Sequence, residues 1–343
     1  MSLPSYVGRY EVRDEIAQGG FGVVVRAWDE ELESLVALKI LHAKLTEDED
    51  LQLRFLEEAR LLRRIRSPHV ITVHDVGRLN DGRPYFVMDY ADRGTLEHRL
   101  ARRAGNRPPS PQQVIVLADA VADGLSALHE AGVVHRDIKP ANILFQLAQR
   151  GVLTALDGPA TDATAPGPLV GNDERILLGD LGIAKDLIKQ DGLPTVIGGT
   201  PLYRAPEQVD GETDVKPAAD IYAASALLWH VLTGERPPDP SQIETHLTLL
   251  PESWHALFRQ GMADDSKARH EHMEHWRSAV HAAISGTSGD DSGDPITVVT
   301  GIPVSCPYKG LAAFEPEDAR YFFGREVLID ELVRRLQRSH VLI

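Results

Sequence analysis

The apolar pattern of this chain changes near residue 91 from mainly strand-like to mainly helical, and that change limits the folds open to it. Before this point, β-branched stretches predict strands at "YEVRDEIAQ", "VVVRAWD" and "LVALKIL". The stretches "VITVHDVGRL" and "YFVMDYA" predict a hairpin around the turn "NDGRP". The first part of the chain is therefore expected to be rich in β-structure.

Helical spacing of apolar residues occurs in one early segment and dominates the later part. Over 48–66, apolar side chains from Leu51 to Ile65 recur every three or four positions, which predicts a helix. Further helices are predicted over Pro111–Glu130, Ala218–Thr233 and 271–284. The expected fold class is α+β, with a β-rich N-terminal lobe and an α-helical C-terminal lobe.

Composition narrows the partners and the compartment. The formal net charge of −15 is spread along 343 residues, which argues against nucleic acid as a partner. A single cysteine, Cys306, rules out an intramolecular disulfide and fits a reducing, cytoplasmic compartment. The start "MSLPSYVGRY" does not read as a secretion signal. The longest apolar stretch, "IYAASALLWHVL", is too short to span a bilayer, so no membrane contact is expected for this chain.

Two segments have the composition of flexible chain. Residues 146–175 include "TALDGPATDATAPGPLVGN" and contain no aromatic residue, which predicts a low-complexity insertion that buries little apolar surface. Residues 285–305 begin "SGTSGDDSGD" and are predicted to form a flexible acidic linker. A neutral spacer is the favoured interpretation of the insertion, ahead of a docking or modified segment.

A glycine-rich turn and a lysine suggest a phosphate site. In "IAQGGFGVV", between two predicted strands, Gly19, Gly20 and Gly22 would let the backbone approach a triphosphate closely. Alone, this pattern is typical of an ordinary hairpin. Lys39 in "VALK" strengthens it, because a lysine on a half-buried strand needs an anionic partner. Glu58, on the helix that follows, is the candidate partner.

With these motifs and those downstream, the chain resembles the Hanks-type serine/threonine protein kinases, and in particular their bacterial members. The downstream motifs follow in the family's order as "HRDIKPAN", "GDLGIAK", "GGTPLYRAPE", "AADIYAAS" and "ADDSKARH". The resemblance covers residues 10–284 and implies the two-lobed protein-kinase fold. It implies an N-terminal tail over 1–9, an N-lobe over 10–90 and a C-lobe over 91–284.

The resemblance implies where ATP would bind. Lys39 would bind the α- and β-phosphates and be held by Glu58. Met88 would be the gatekeeper, and the hinge over 89–91 would hydrogen-bond the adenine. The residues implied to contact ATP are Ile16, Ala17, Gly19, Gly20, Phe21, Gly22, Val24, Ala37, Lys39, Met88, Asp89, Ala91 and Leu144. Ala17 stands where the family has its first loop glycine, which implies a stiffer loop.

The resemblance also implies the catalytic groups. Asp137 would accept a hydrogen bond from the substrate hydroxyl and take its proton, and Lys139 would steady the transferring γ-phosphoryl group. Asn142 and Asp180 would bind Mg²⁺ (or Mn²⁺). In "GDLGIAK", Leu181 replaces the aromatic residue of the family's D-F-G motif. The predicted insertion lies between the two expected metal ligands.

Further residues are implied to support or regulate the site. Thr200 would contact Asp137 and Lys139, which favours serine or threonine as the acceptor. An activation phosphosite is expected at Thr195, modified in trans by another copy of the chain, with Arg136 binding the phosphate. The implied structural supports are a buried ion pair and a brace of the catalytic loop, formed by Glu207, Arg269 and Asp220.

The C-terminal part offers two further patterns. Residues 306–343, with "CPYKGLAAFEPEDARYFFGRE", are similar to the entry of a STAND-type NTPase region. The chain contains no G-x-x-x-x-G-K-[ST] motif, so this segment alone is not expected to hydrolyse a nucleotide by the P-loop route. His272 and His275 in "RHEHMEHWRSAVH" have the spacing of some metal-ligand pairs, but the zincin pattern fails and a solvated helix face is favoured.

These observations favour an ATP- and magnesium-dependent serine/threonine protein kinase that acts on protein substrates and forms a homodimer for trans-autophosphorylation. One alternative is a nucleotide-binding pseudokinase that acts as a switch or scaffold. Another is an oligomerising sensor in which the kinase is the output and a C-terminal NTPase is the switch. The interpretation as an active kinase and the interpretation as a sensor are compatible with each other.

Overall fold

The computed structural model describes residues 4–103, 108–148, 168–181, 201–209 and 215–287. The first of these ranges contains one antiparallel sheet with the strand order β1-β2-β3-β4-β6-β5. Its strands are β1 (Tyr6–Val7), β2 (Tyr10–Gln18), β3 (Gly22–Asp29), β4 (Ser34–Leu41), β5 (Val73–Arg78) and β6 (Pro84–Asp89). Every strand predicted from the sequence is present, and β1 adds a short edge strand within the predicted tail 1–9.

Eight α-helices accompany the sheet in the described ranges. They are α1 (Glu49–Arg64), α2 (Leu96–Arg102), α3 (Pro111–Glu130), α4 (Pro206–Val209), α5 (Ala218–Thr233), α6 (Ile243–His246), α7 (His255–Gly261) and α8 (Met273–Thr287). The bounds predicted for α3 and α5 are those observed. The structure confirms the expected α+β class, with a β-rich lobe before a helical one.

The N-lobe core lies between the sheet and α1. Asp48 caps α1, because its side chain accepts a hydrogen bond from the backbone N–H of Leu51 at 3.0 Å. Phe55 on the buried face of α1 packs against Phe86 of β6, with ring centroids 5.0 Å apart. The periodic apolar face of α1 thus fixes how the helix lies on the sheet.

The C-lobe core surrounds α5, whose residues are almost all buried. Trp229 of α5 meets Phe258 of α7 edge to face, with ring centroids 5.2 Å apart. Trp276 of α8 donates its indole N–H to the hydroxyl of Ser225 at 3.0 Å, which satisfies a buried donor. The apolar stretch that was too short for a bilayer is therefore the central helix of this lobe. Among the described residues, no helix has both the length and the apolar character needed to cross a membrane.

A second hairpin joins the helical lobe to the sheet. Its strands are β7 (Ile143–Leu147) and β8 (Glu174–Leu178), with Ile143 opposite Leu178. Leu178 N donates to His69 O at 2.8 Å, and Ile71 N donates to Leu178 O at 2.9 Å. The segment that leads into β5 is thus hydrogen-bonded to β8, so the two lobes share a backbone contact.

The predicted insertion 146–175 is wrong at both ends. Gln146 and Leu147 belong to β7, and the chain pairs with them again from Glu174. Arg99 of α2 explains this, because its guanidinium donates to Glu174 at 2.6 and 2.8 Å and lies 3.5 Å from the ring centroid of Phe145. It also donates to the carbonyl of the buried Leu169 at 2.8 Å. A low-complexity composition did not prevent these ends from packing.

The linker predicted over 285–305 also begins later than expected, because α8 continues to Thr287. Ser285 remains in the helix and donates its hydroxyl to the carbonyl of His281 at 3.0 Å. The other residues of the predicted linker lie outside the described ranges.

Gly124 provides a test of how closely α3 packs on the hairpin. A Cβ there would lie 2.6 Å from Leu178 Cδ1 and 2.9 Å from the carbonyl oxygen of His69. In an open helix, Gly→Ala stabilises by roughly 1 kcal/mol. Here we expect Gly124→Ala to lower the free energy of unfolding by about 1–3 kcal/mol in urea denaturation, because the clash includes backbone. Ser126→Ala on the same helix is the control and should not destabilise; equal stability of the two variants would contradict the close packing.

Candidate active site

The glycine-rich turn between β2 and β3 is held by contacts at the end of β4. Gly19 N donates to Gly22 O at 2.9 Å, which closes the turn. A Cβ at Gly22 would lie 2.2 Å from the carbonyl oxygen of Ile40, so only glycine fits there. His42, just after β4, places Nε2 2.7 Å from Gly19 O. The turn therefore depends on close backbone approach at Gly22.

Lys39 is buried on β4, and its amine is shared by two carboxylates. Nζ donates to Glu58 Oε1 at 2.8 Å and to Asp180 Oδ1. Glu58 is buried on α1, whereas Glu57 beside it is exposed, as helical geometry requires. Burial alone lowers the pKa of Lys39, but Asp180 and Glu58 outweigh that effect and raise the pKa above its ordinary value. The ammonium therefore stays charged at neutral pH and joins a strand, a helix and the segment after β8.

Three side chains of the loop before β7 lie in contact. Asn142 Nδ2 donates to Asp137 Oδ2 at 2.7 Å and to the Asp137 carbonyl at 2.8 Å. Lys139 Nζ lies 3.0 Å from the same carboxylate oxygen. The sequence placed these residues within one motif, and the short helical turn Pro140–Asn142 folds the loop so that they converge. A carboxylate is thus held between an amide and an ammonium group.

The β7–β8 hairpin brings the two expected metal ligands together. Gly179 N donates to Asn142 O at 3.0 Å, which places Asp180 beside the start of β7. Because Asn142 Nδ2 faces Asp137, its amide oxygen points the other way and can serve as a ligand. An amide oxygen and a carboxylate fit a hard divalent cation such as Mg²⁺. Asp180 has a φ of 57°, in the left-handed region. Strained backbone of this kind is often found at functional sites.

In the described ranges, no group of three or more His, Cys, Asp or Glu residues could hold a metal ion. His272 and His275 lie near each other, with ring centroids 5.7 Å apart, but no such group forms around them.

Leu181, which follows the expected metal ligand Asp180, fills an apolar space in the core. It is 2% exposed and belongs to the same buried cluster as Leu62 of α1. Leucine therefore packs where the resemblance implies an aromatic side chain, which keeps the segment after β8 attached to the core.

Asp220, at the start of α5, holds the backbone of the loop that precedes β7. Its carboxylate is fully buried and accepts from the backbone N–H groups of His135 and Arg136, both at 2.8 Å. Arg136 has a φ of 66°, and its carbonyl accepts from Gln208 Nε2 at 3.0 Å. The strained backbone just before Asp137 is thus held on both sides.

Arg269 is a buried cation at the base of the lobe. It forms a two-pronged ion pair with Glu207 of α4, at 2.7 and 2.8 Å. The carbonyls of Ala218, Ala263 and Asp264 accept its other hydrogen bonds. The sequence predicts this pair, and it ties α4 to the start of α5.

The residues expected to surround the adenine lie on neighbouring strands. Ala37 is opposite Met88 in the pairing of β4 with β6, and Val24 is opposite Lys39 in that of β3 with β4. Leu144, on β7, forms a bridge with Thr95 beyond the hinge. Three others lie in the glycine-rich region: Ile16 and Ala17, which are exposed on β2, and Phe21, which is buried in the turn.

Two expected residues and the C-terminal segment cannot be placed. Thr195, Thr200 and residues 306–343 lie outside the described residues.

Sequence reasoning missed two side chains that hold the site's backbone. His42 contacts Gly19 O, as described above. Gln146 Nε2 donates to Tyr90 O in the hinge at 2.9 Å. Neither belongs to a motif, since a contact to a backbone carbonyl requires only a suitable donor. The weak signal for Gln146 was a polar residue within the apolar run "NILFQL".

Comparisons with known proteins show the family of this chain. Residues 10–284 match the family model described as "Protein kinase domain". The chain belongs to the protein kinase family. Residues 307–343 match the model "Novel STAND NTPase 1", in agreement with the similarity noted in the sequence.

Similar curated proteins are mycobacterial serine/threonine-protein kinases. PknL of Mycobacterium tuberculosis is 35% identical over 232 residues, which cover 67% of this chain and 50% of PknL. PknK of Mycobacterium bovis is 34% identical over 286 residues, which cover 82% of this chain and 23% of PknK. The chain therefore spans half or less of the length of these relatives. It is similar to kinases of the serine/threonine type, which act on proteins and use ATP with a divalent metal ion.

Solved structures agree on the fold. A cysteine-to-alanine variant of the Mycobacterium tuberculosis PknI kinase domain is 25% identical, with a TM-score of 0.60; the match covers 82% of this chain and 99% of that one. The structure described as "PpkA-294 apo form" is 22% identical, with a TM-score of 0.63 and 81% of this chain covered. The two-lobed kinase fold expected from the sequence is confirmed.

The buried ion pair of this kinase domain can be compared with an exposed pair that is also two-pronged. Glu207→Gln should lower the free energy of unfolding by about 3 kcal/mol, because it leaves the buried Arg269 without its counter-charge. Glu244→Gln breaks a two-pronged pair with Arg259 at 2.7 and 2.9 Å, but both partners are exposed, so little change is expected. Urea denaturation measures both, and a similar effect of the two substitutions would contradict a role for burial.

Proposed function

We propose that this chain transfers the γ-phosphoryl group of ATP to serine or threonine hydroxyls of proteins, with Mg²⁺ as the preferred metal. The observation that carries the proposal is the ammonium of Lys39 between Glu58 and Asp180. It links the lobe that would hold the phosphates to the residue that would hold the metal. The charged side chains that the proposal uses at the phosphate end are thus in mutual contact.

The phosphate end of the proposed site is positive at its centre and held by backbone. Lys39 keeps its charge because two carboxylates raise its pKa, so it offers a fixed cation to the α- and β-phosphates. The turn Gly19–Gly22 would supply backbone N–H groups to the phosphates without intervening side chains. Phosphoryl transfer needs such positioning and charge neutralisation more than covalent chemistry.

The acceptor end is centred on Asp137. One oxygen of its carboxylate already contacts Asn142 and Lys139, which orients the group. In the proposed reaction, Asp137 accepts a hydrogen bond from the substrate hydroxyl and takes its proton as that oxygen bonds to the γ-phosphorus. The bond from the γ-phosphorus to the β–γ bridging oxygen breaks, and ADP leaves. Lys139 stabilises the negative charge of the transferring group, and Thr200 favours serine or threonine as the acceptor. Mg²⁺, held by Asn142 and Asp180, would neutralise phosphate charge.

A nucleotide-binding pseudokinase is the second candidate. The departures that favour it are Ala17 at the first loop glycine and Leu181 after the metal-ligand aspartate. Against it, Leu181 is buried in the core and the charged residues of the site are in mutual contact. A role as the output of an oligomerising sensor is compatible with catalysis, and the match of residues 307–343 to a STAND NTPase model supports it.

Regulation would act through the backbone that precedes Asp137. We propose that Thr195 is phosphorylated by another copy of the chain in a transient homodimer, and that Arg136 binds the phosphate. The strained conformation of Arg136, held by Asp220 and Gln208, supports this role. We also place the protein in the cytoplasm, which the single cysteine and the use of ATP support.

Removing the proposed base is the first test of function. Asp137→Asn should reduce transfer of labelled phosphate from ATP with Mg²⁺, to the chain itself and to a generic basic protein, by on the order of 10³-fold. ADP affinity should change little, because Asp137 lies at the acceptor end. Equal transfer by parent and variant would refute the catalytic role. ATP binding by the parent without transfer would favour the pseudokinase.

The phosphosite is tested by mapping modified residues in the active chain. We expect phosphate on Thr195 after incubation with ATP and Mg²⁺, and none in Asp137→Asn. Mixing Asp137→Asn with active parent should restore Thr195 modification on the inactive copies, because the reaction is in trans. Active enzyme with unmodified Thr195 would contradict the proposal. The substitution Thr195→Ala removes the site, and Thr248→Ala, which changes an exposed threonine of the C-lobe, is its control.

A further inference from the structure

Successive residues of the hinge are held by different lobes. Asp89 N donates to Thr72 O at 3.0 Å, next to β5, so Asp89 is attached to the sheet of the N-lobe. Tyr90 O accepts from Gln146 Nε2 at 2.9 Å, and Gln146 lies on β7 of the C-lobe hairpin. Asp89 is therefore attached to the N-lobe, and the next residue, Tyr90, is attached to the C-lobe.

We propose that Gln146 is a positioning residue for nucleotide recognition, acting through the peptide bond between Tyr90 and Ala91. In a planar trans peptide, the carbonyl and the following N–H point in opposite directions. When Gln146 holds the carbonyl of Tyr90, it also fixes the direction of the Ala91 N–H, which points away from Gln146. This inference rests on the proposed function, in which the hinge backbone hydrogen-bonds the adenine.

Arg175 fixes which end of the Gln146 amide faces the hinge. The two residues are opposite each other in the pairing of β7 with β8, and Arg175 Nη2 donates to Gln146 Oε1. A guanidinium can only donate, so the amide oxygen faces Arg175 and the amide nitrogen faces Tyr90. Arg175 Nη2 also lies 3.9 Å from the carboxylate of Asp89. The amide thus has one orientation, set by a neighbouring charge.

Because Gln146 is buried, loss of its hydrogen bond to the carbonyl of Tyr90 should have a measurable effect. Gln146 is 1% exposed, so water does not readily replace its N–H group if the side chain is removed. The chain beyond the hinge is also held by β7, since Arg93 N donates to Phe145 O at 2.9 Å. That backbone contact lies outside residues 89–91, whereas Gln146 contacts the Tyr90–Ala91 peptide itself.

Fixing one donor has a consequence for base selectivity. Adenine offers an acceptor at ring nitrogen N1, whereas guanine carries a hydrogen there. A fixed N–H in the hinge favours adenine and opposes guanine, because the guanine N–H would face another donor. A hinge peptide that can rotate would lose part of this discrimination. The role of Gln146 is therefore visible in the preference for ATP over GTP.

Two substitutions separate the positioning role from simple support of the hairpin. Gln146→Glu keeps the shape and the acceptor for Arg175, but it presents an oxygen to the carbonyl of Tyr90. Gln146→Met has a similar length and lacks both polar groups, so it tests the same contact if the glutamate variant fails to fold. Ser225→Ala removes a buried hydrogen bond to Trp276 in the C-lobe and serves as the control.

The measurements are ADP affinity by calorimetry and the ratio of kcat/KM for ATP to that for GTP, using the full chain with Mg²⁺. For a folded Gln146 variant, we expect ADP to bind about tenfold more weakly, with KM for ATP raised and kcat within about twofold of the parent. The ATP-to-GTP ratio should also fall severalfold. Ser225→Ala should leave the affinity and the ratio unchanged, whatever its effect on stability.

Each outcome decides the proposal. Unchanged ADP affinity and an unchanged ATP-to-GTP ratio in a folded Gln146 variant would overturn it, while phosphate transfer by the parent would leave the proposed function intact. Loss of kcat with an unchanged ratio would assign Gln146 a purely structural role and also overturn it. Absence of ADP binding by the parent chain would refute the proposed function itself, and the inference with it.

Discussion

The buried ammonium of Lys39 is the interaction on which the rest of the site depends. A lysine inside a sheet is unfavourable unless anions surround it, and here the anions come from two separate parts of the chain. Glu58 reaches it only if α1 lies on the sheet with its apolar face inward. Asp180 reaches it only if the β7–β8 hairpin is in place. One charge therefore requires that helix, sheet and hairpin be assembled together.

In the C-lobe, buried carboxylate and guanidinium groups also join separate parts of the chain, here through hydrogen bonds to the backbone. Asp220 accepts from the backbone of the loop before Asp137, and Arg269 binds three carbonyls besides its carboxylate partner. Arg99 does the same at the base of the hairpin. Charged side chains are thus used inside this lobe to fix irregular backbone, which regular secondary structure cannot do.

Much of the fold could be predicted from the sequence, because regular elements have a period. Strands β2 to β6 follow from β-branched stretches, and the helices α3 and α5 follow from apolar spacing. The ion pairs of Lys39 and Arg269 could be predicted because the family's motifs name both partners. The ends of the insertion could not, since Leu169 and Val170 pack through tertiary contacts that their composition does not reveal. Gln146 and His42 could not either, because their partners are backbone carbonyls and carry no sequence signature.

The closed base of the β7–β8 hairpin has a consequence for how such a domain can evolve. Ala148 N donates to Asp173 O at 2.7 Å, so the hairpin remains hydrogen-bonded up to these two residues. The separation of Asn142 and Asp180 is set by this pairing and not by the number of residues between the two strands. Because closure entropy grows only with the logarithm of length, residues can be added or lost there at small cost. The positions of Asn142 and Asp180 thereby become independent of insertions, and new sequence can be acquired within the kinase domain while these two residues keep their places.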